Sequence, residues 1–297
     1  MKKNITTANV PEEEELKKTG LLKETWRSLR KNRLAMIGMA IVAVIALLCI
    51  FANVIAPYGI DDQALKERCL APSAKHLFGT DHLGRDILSR VLYGGRVSVA
   101  IGISCALLSA LFGIIFGSIA GYFGGVADDI IMRIVDIMMS LPGMLLSIAI
   151  VTALGNKTGF IIFAVGISYA PSASRIVRAA FLSAKEQEYV EAARCIGASN
   201  FRIIMRHVLP NCLAPLIVFT TMCVANAILA ASSLSFIGIG VQPPSPEWGA
   251  MLSVARPYIR EYPYMVIFPG LAIMAMIFGL NLFGDGLRDA LDPRMKR

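Results

Sequence analysis

The chain has 297 residues, 56% of them hydrophobic and 17% charged, with a mean hydropathy of +0.62. Soluble domains sit nearer about 45–50% apolar and about 25% charged, so a soluble globule is excluded and a multi-span membrane protein is indicated. The net charge of +8 lies beside apolar segments rather than in one aromatic-interleaved patch, which argues against a nucleic-acid binder.

Residues 1–33 are polar, with an acidic run at Glu12–Glu15 and basic residues after it. Leu21, Leu22, Trp26 and Leu29 share one helical face with basic residues between them, the pattern of a helix lying in the headgroup region. Residues 1–18 read equally well as a solvated tail. This start is too long for the charged region of a cleavable signal. The first span, Leu34 to Ala56, carries no charge and is long enough to cross a core of about 30 Å. Residues 57–96 form a polar loop. His76, Asp81 and His82 invite a metal reading there, but they lack a regular ligand spacing and Gly79 and Gly84 point to turns. Cys49, Cys105 and Cys223 fall inside apolar spans and no CxxC pair exists, so buried small hydrophobes are expected rather than disulfides or zinc.

The second span is 97–123, where Gly113, Gly117 and Gly121 recur every four residues and suit close helix packing. Asp129, Arg133 and Asp136 follow on one face, and mutual pairing is expected, with a proton relay as the competing use. The third span is 134–154, kinked at Pro142; the fourth is 158–174, ending near Pro171. Gly155-Asn156-Lys157-Thr158 lacks the GxxxxGK[ST] spacing of a phosphate loop, and no such loop occurs anywhere in the chain. The fifth span is 212–238 and the sixth 264–283, joined by a loop at 240–263; residues 284–297 form a tail. Asn226, Ser233 and Asn281 are the candidate residues lining a path, with bonding to neighbouring helices as the competing use.

Between the fourth and fifth spans lies a polar segment, 175–211. In it Tyr189, Ala192, Ala193 and Ile196 make an apolar stripe at helical spacing. Glu188, Glu191 and Arg194 fall on other faces, with Glu191 and Arg194 placed to pair weakly. Gly197 is expected to end this helix, Ser199 to cap a second one through about His207, and Pro210 to stop it. Small Ala-Ala steps beside a glutamate suit docking into a partner's groove.

Orientation follows from charge. With six spans both termini share a side, and that side carries 20 Lys and Arg against 9 on the other. The positive-inside rule therefore places the termini and the 186–211 unit in the cytoplasm.

The run EAA at 191–193, Gly197 four residues later and Leu209-Pro210 together resemble the EAA loop of ABC-importer permeases. HLFGTDHLGRDILSRVLYGGRVS, QPPSPEWGAML and GDGLRDALDP resemble the C-type permease of the dipeptide, oligopeptide and nickel importer group. The resemblance implies an all-α integral membrane protein of six transmembrane helices, with a type I importer fold and cytoplasmic termini. It implies a bacterial inner-membrane location and a heterodimer with a B-type permease, served by two ATP-binding subunits and an external substrate-binding protein. ATP and magnesium would be bound by those ATPase subunits, and this chain would carry no cofactor, no metal and no catalytic residue. The residues implied to couple to the ATPase are Glu188, Tyr189, Glu191, Ala192, Ala193, Ile196, Gly197 and Ser199. Dipeptides or oligopeptides are the expected substrates, with nickel or a nickel chelate as the alternative. An ion-coupled secondary transporter is the reading from another class. It would require ionisable groups inside the spans, and the sequence places none there away from the Arg133–Asp136 edge.

Overall fold

The computed structural model describes residues 21–291, and their regular structure is helical. The acidic run at Glu12–Glu15 and the end of the expected tail, 292–297, lie outside the described residues.

Helix α1 (Leu21–Leu29) precedes α2 (Arg33–Ile50), which is capped by the Asn32 side chain accepting from the Leu34 and Ala35 amides at 3.1 and 3.2 Å. Leu29 is buried with Ala35 and Ala290, whereas Trp26 stays half exposed. The expected span to Ala56 breaks at Phe51, and a short α3 (Ala52–Ile55) follows. Arg96 reaches across to this break, donating to the Cys49 and Ile50 carbonyls at 2.6 and 2.7 Å. These are acceptors that a helix end leaves open.

Helix α4 (Ile87–Phe123) begins ten residues before the expected 97, because Asp86 caps it, accepting from the Ser89 amide at 2.8 Å. Its first turns meet protein rather than lipid. Arg90 is buried and donates to the Ile60 and Pro244 carbonyls. His76, of the discarded metal trio, is held by Asp86 at 3.0 Å and Glu67 at 3.2 Å, while Asp81 accepts from Arg85 and His82 stacks on Tyr258. Hydrogen bonds from Lys75 and then His76 hold the Glu67 carboxyl below its ordinary value.

The expected third span is not one kinked helix. Gly124 turns the chain into α5 (Gly125–Ser140), and Leu141-Pro142 breaks it before α6 (Gly143–Leu154), the two bent by 92°. Proline disfavours helical geometry in the residue before it, and Leu141 is extended at φ −94°, ψ 134°. By contrast Pro171 does not end the fourth span: α7 (Thr158–Lys185) runs straight through it. The glycine ridge of α4 lies beside it. A Cβ at Gly113, Gly117 or Gly121 would press on Ala173, Ser174 or Phe181 of α7, so the two helices pack closely in the turns just after the proline.

Next come α8 (Glu188–Cys195), α9 (Asn200–Ile203), a π turn (Ile204–Val208) and α10 (Leu209–Phe236). Pro210 is not the expected stop; the chain stays helical through it, and the π turn Ile204–Val208 just before it is where the helical ladder is adjusted. The loop expected at 240–263 holds α11 (Trp248–Ala255). The last helix, α12 (Tyr264–Leu291), absorbs the first part of the expected tail. By length and composition five helices can cross a membrane, or six if α5 and α6 count as one bent span.

The bundle has two distinct ends. α1, the α8–α9 unit and the end of α12 share one, which we call the termini end. The 57–86 and 237–263 segments cover the other, the loop end, around fully buried Trp248, whose indole N–H donates to the Val91 carbonyl at 2.9 Å. Gly94 lies in that contact, and a Cβ there would collide with the Pro246 carbonyl oxygen. Gly94→Ala is therefore expected to cost at least about 2 kcal/mol and sharply reduce folded protein. Gly270→Ala, where nothing lies within 4 Å, is expected to be neutral or slightly stabilising. Yield after detergent extraction checks both.

Candidate functional site: the elbow at the termini end and two cavities

The elbow comprises α8, the Gly197 turn and α9. It differs from the expected apolar stripe. Val190 and Ala193 point inward, joining Ile203, Val208 and Phe181 in one core. Tyr189, Ala192 and Ile196 face outward with Glu188 and Glu191, and Ile196 is 84% exposed. Phe201 at 74% and Met205 at 48% extend that outer face. A three-residue step at Val190–Ala193 carries the inner face, so the outer apolar residues are left uncovered.

The turn is built as a helix C-terminus. The Gly197 amide donates to the Arg194 carbonyl at 2.9 Å and the Ala198 amide to the Ala193 carbonyl at 3.1 Å, with Gly197 at φ +78°. Ser199 caps α9, accepting from the Arg202 amide at 3.4 Å. Arg194 does not pair with Glu191. Its guanidinium lies 5.6 Å from the centre of the Tyr122 ring, and the Tyr122 hydroxyl donates to Asn200 Oδ1 at 2.9 Å. Asn211 Nδ2 donates to the Tyr189 hydroxyl at 3.0 Å. These contacts tie the elbow to the end of α4 and the start of α10.

The acidic face of α5 also finds partners other than those expected. Asp128 accepts both arms of Arg178, at 2.5 and 2.6 Å, and Asp136 accepts from Arg175 at 2.6 Å. The reason is the length of α7: by continuing past 174 it brings both arginines alongside α5. Asp129, Arg133 and Asp136 therefore form no mutual set among the described residues.

Two cavities open along α10. One, of about 340 Å³, lies between α6, α7 and α10 and is lined by Ser147, Ser168, Tyr169, Asn226 and Ser233. The other, of about 580 Å³, lies at the termini end between α7, α10 and α12, with Ile176, Asn211, Pro215, Met222 and Arg288 on its walls. The structure thus brings Asn226 and Ser233 together in one cavity. Asn281 is exposed on α12 and lines neither.

The chain matches the family model described as the inner membrane component of binding-protein-dependent transport systems over residues 113–297, and that of the N-terminal TM domain of oligopeptide transport permease C over 20–72. It belongs to the binding-protein-dependent inner-membrane permeases. It is 45% identical over 274 residues to a glutathione transport system permease protein of Escherichia coli O6:K15:H31 (strain 536 / UPEC), covering 92% of this chain and 90% of that one. It is 43% identical over 286 residues to a dipeptide transport system permease protein of Alkalihalophilus pseudofirmus, covering 96% and 94%. A chain from inward-facing structures of the MetNI methionine ABC transporter shares the fold, with a TM-score of 0.54 at 18% identity over 68% of this chain and 96% of that one.

Several residues that hold these features together carried no signal in the sequence. Tyr122, Asn200 and Asn211 brace the elbow but look like ordinary residues at helix ends. Tyr169 enters its cavity from a helix that reads as apolar. Glu247 is fully buried at the loop end. Its Oε1 accepts from Ser98 Oγ at 3.3 Å, Ser232 Oγ at 3.2 Å and the Gly249 amide at 3.0 Å, and its Oε2 from the Ala250 amide at 2.8 Å. A four-donor carboxylate of this kind can be anticipated only as the N-cap before Trp248.

Proposed function

We propose that the chain is one half of the translocation path of an ATP-driven peptide importer in the bacterial cytoplasmic membrane, coupled to cytoplasmic ATPases through the elbow. The observation that carries this reading is the outer face of α8 and α9. Ile196 and Phe201 are bare, Glu188 and Glu191 flank them, Val190 and Ala193 pack inward, and Tyr189 and Arg194 fasten the elbow to α10 and α4. Large exposed apolar side chains rimmed by charge mark an interaction surface. The excess of Lys and Arg at the same end supports a cytoplasmic placement, where ATP is available.

The partners in this reading are a B-type permease, two ATP-binding subunits and an external binding protein. ATP and magnesium are held by the ATPase subunits. ATP binds one state of those subunits better and so shifts the population. The elbow and its fastened helices then move as a rigid body, turning the path from one side to the other. Peptides are the favoured substrates, because the named relatives carry glutathione and dipeptide in their descriptions. Nickel or its chelate ranks second, and ion-coupled transport third. Uptake in cells lacking the ATPase subunits decides between ATP drive and ion drive. Peptide uptake is expected to vanish, and full retention would overturn the proposal.

A further inference from the structure

Both cavities lie on one face of α10. Asn211, Pro215, Val218, Met222, Asn226 and Ser233 follow one another at helical steps of three, four or seven, so they share that face. The first four line the cavity at the termini end, and the last two line the other. α7 also passes both, with Tyr169 in one and Ile176, two turns on, in the other. One turn of α10, from Met222 to Asn226, separates the cavities. At that turn the Tyr169 hydroxyl donates to the Asn226 carbonyl oxygen at 3.4 Å. The Asn226 side chain is exposed and makes no hydrogen bond among the described residues. It lies about 15 Å along α10 from Phe236, which is mid-way through the span expected from sequence at 212–238 if that span crosses a core about 30 Å thick. A bare amide at that depth is strongly disfavoured against lipid tails, so this face turns away from lipid, toward the path or the second permease that walls it.

We infer that this face of α10 is the chain's wall of the path, that Tyr169 is its threshold, and that the compartment beyond it holds peptides through uncharged hydrogen bonds to their amide groups. This rests on the importer reading. Ser233 donates to the Leu229 carbonyl of its own helix, which leaves its oxygen to accept a peptide N–H group, while Ser147 and Ser168 bond to each other at 2.9 Å, so that pair keeps one acceptor site free. The Asn226 amide both donates and accepts. Among the described residues no charged side chain lines this compartment, so this chain's wall does not sort substrates by charge. The other cavity differs, having Arg288 at its rim.

The test uses the complete importer in proteoliposomes with saturating binding protein, comparing maximal uptake of Glu-Glu and Lys-Lys dipeptides. The unaltered importer is expected to move both within about twofold of each other. Asn226→Asp is expected to lower the acidic dipeptide against the basic one by about tenfold, the effect of a like charge at contact range, while Asn226→Ser keeps the ratio. Tyr169→Trp is expected to slow Trp-Trp about fivefold more than Gly-Gly, and Tyr169→Phe to leave that ratio unchanged. ATP hydrolysis stimulated by the binding protein is measured in the same vesicles to identify assembled complexes. If Asn226→Asp does not assemble, Ser233→Asp on the same wall takes its place. Unchanged ratios in assembled vesicles overturn the inference. Failure of the unaltered importer to move either dipeptide overturns the peptide reading itself, and the inference with it.

Discussion

Replacing Glu191 with lysine, or Gly197 with valine, is expected to cut ATP-driven uptake by about tenfold or more while the permease still inserts and keeps its helices. Glu191 is exposed and has no ion-pair partner among the described residues, so reversing its charge leaves the chain's own packing alone. Any loss must then come from a partner that meets it. Gly197 acts differently. Nothing lies within 4 Å of a Cβ built there, so valine fits by volume. Its φ of +78° is the difficulty, costing a side chain of this kind about 1–2 kcal/mol and more for a β-branched one. That strain is relieved only by changing the angle between α8 and α9. Uptake and ATP hydrolysis measured together in proteoliposomes check this result. Hydrolysis that persists with little uptake is expected, and normal uptake by both variants would remove the coupling role.

The second large effect falls at the opposite end. Glu247→Ala is expected to destabilise the permease by about 3 kcal/mol or more, and Glu247→Gln by less. Alanine leaves two hydroxyls and two backbone N–H groups without their acceptor in a place water does not reach. It also uncaps α11, which carries Trp248 into the core. Glutamine keeps one acceptor oxygen but turns an NH₂ group toward another donor. Unfolding midpoints in detergent check the order, and an alanine variant as stable as the original would contradict it.

The spans were legible because lipid imposes long apolar runs, and six such runs stand out in the sequence. Their ends were harder to read. The early start of α4 at Ile87 depends on burial of Arg90 and Ser89 against the loop end, and that burial is created by residues far away in the chain. Prolines were misleading for a related reason. Pro142 breaks a helix, whereas Pro171 lies inside one that packs closely on α4, and local sequence does not reveal such a neighbour. The elbow was found through Gly197 and Ser199, whose turn and capping chemistry is local. Which side of α8 faces inward was missed, since Val190 competes with Tyr189 and Ile196 for the core and only the position of Ile203 and Val208 decides between them. Asn226 and Ser233 were recognisable as polar residues in an apolar span, but the cavity joining them to Tyr169 belongs to the packing of three helices.

The most direct test of an ATP-driven peptide permease is uptake by the purified importer in proteoliposomes with ion gradients collapsed. ATP is supplied on the side carrying the elbow, and loaded binding protein on the other. Dipeptide movement is expected only when both are present and the nucleotide can be hydrolysed. Accumulation that follows an imposed proton or sodium gradient without ATP would contradict the account.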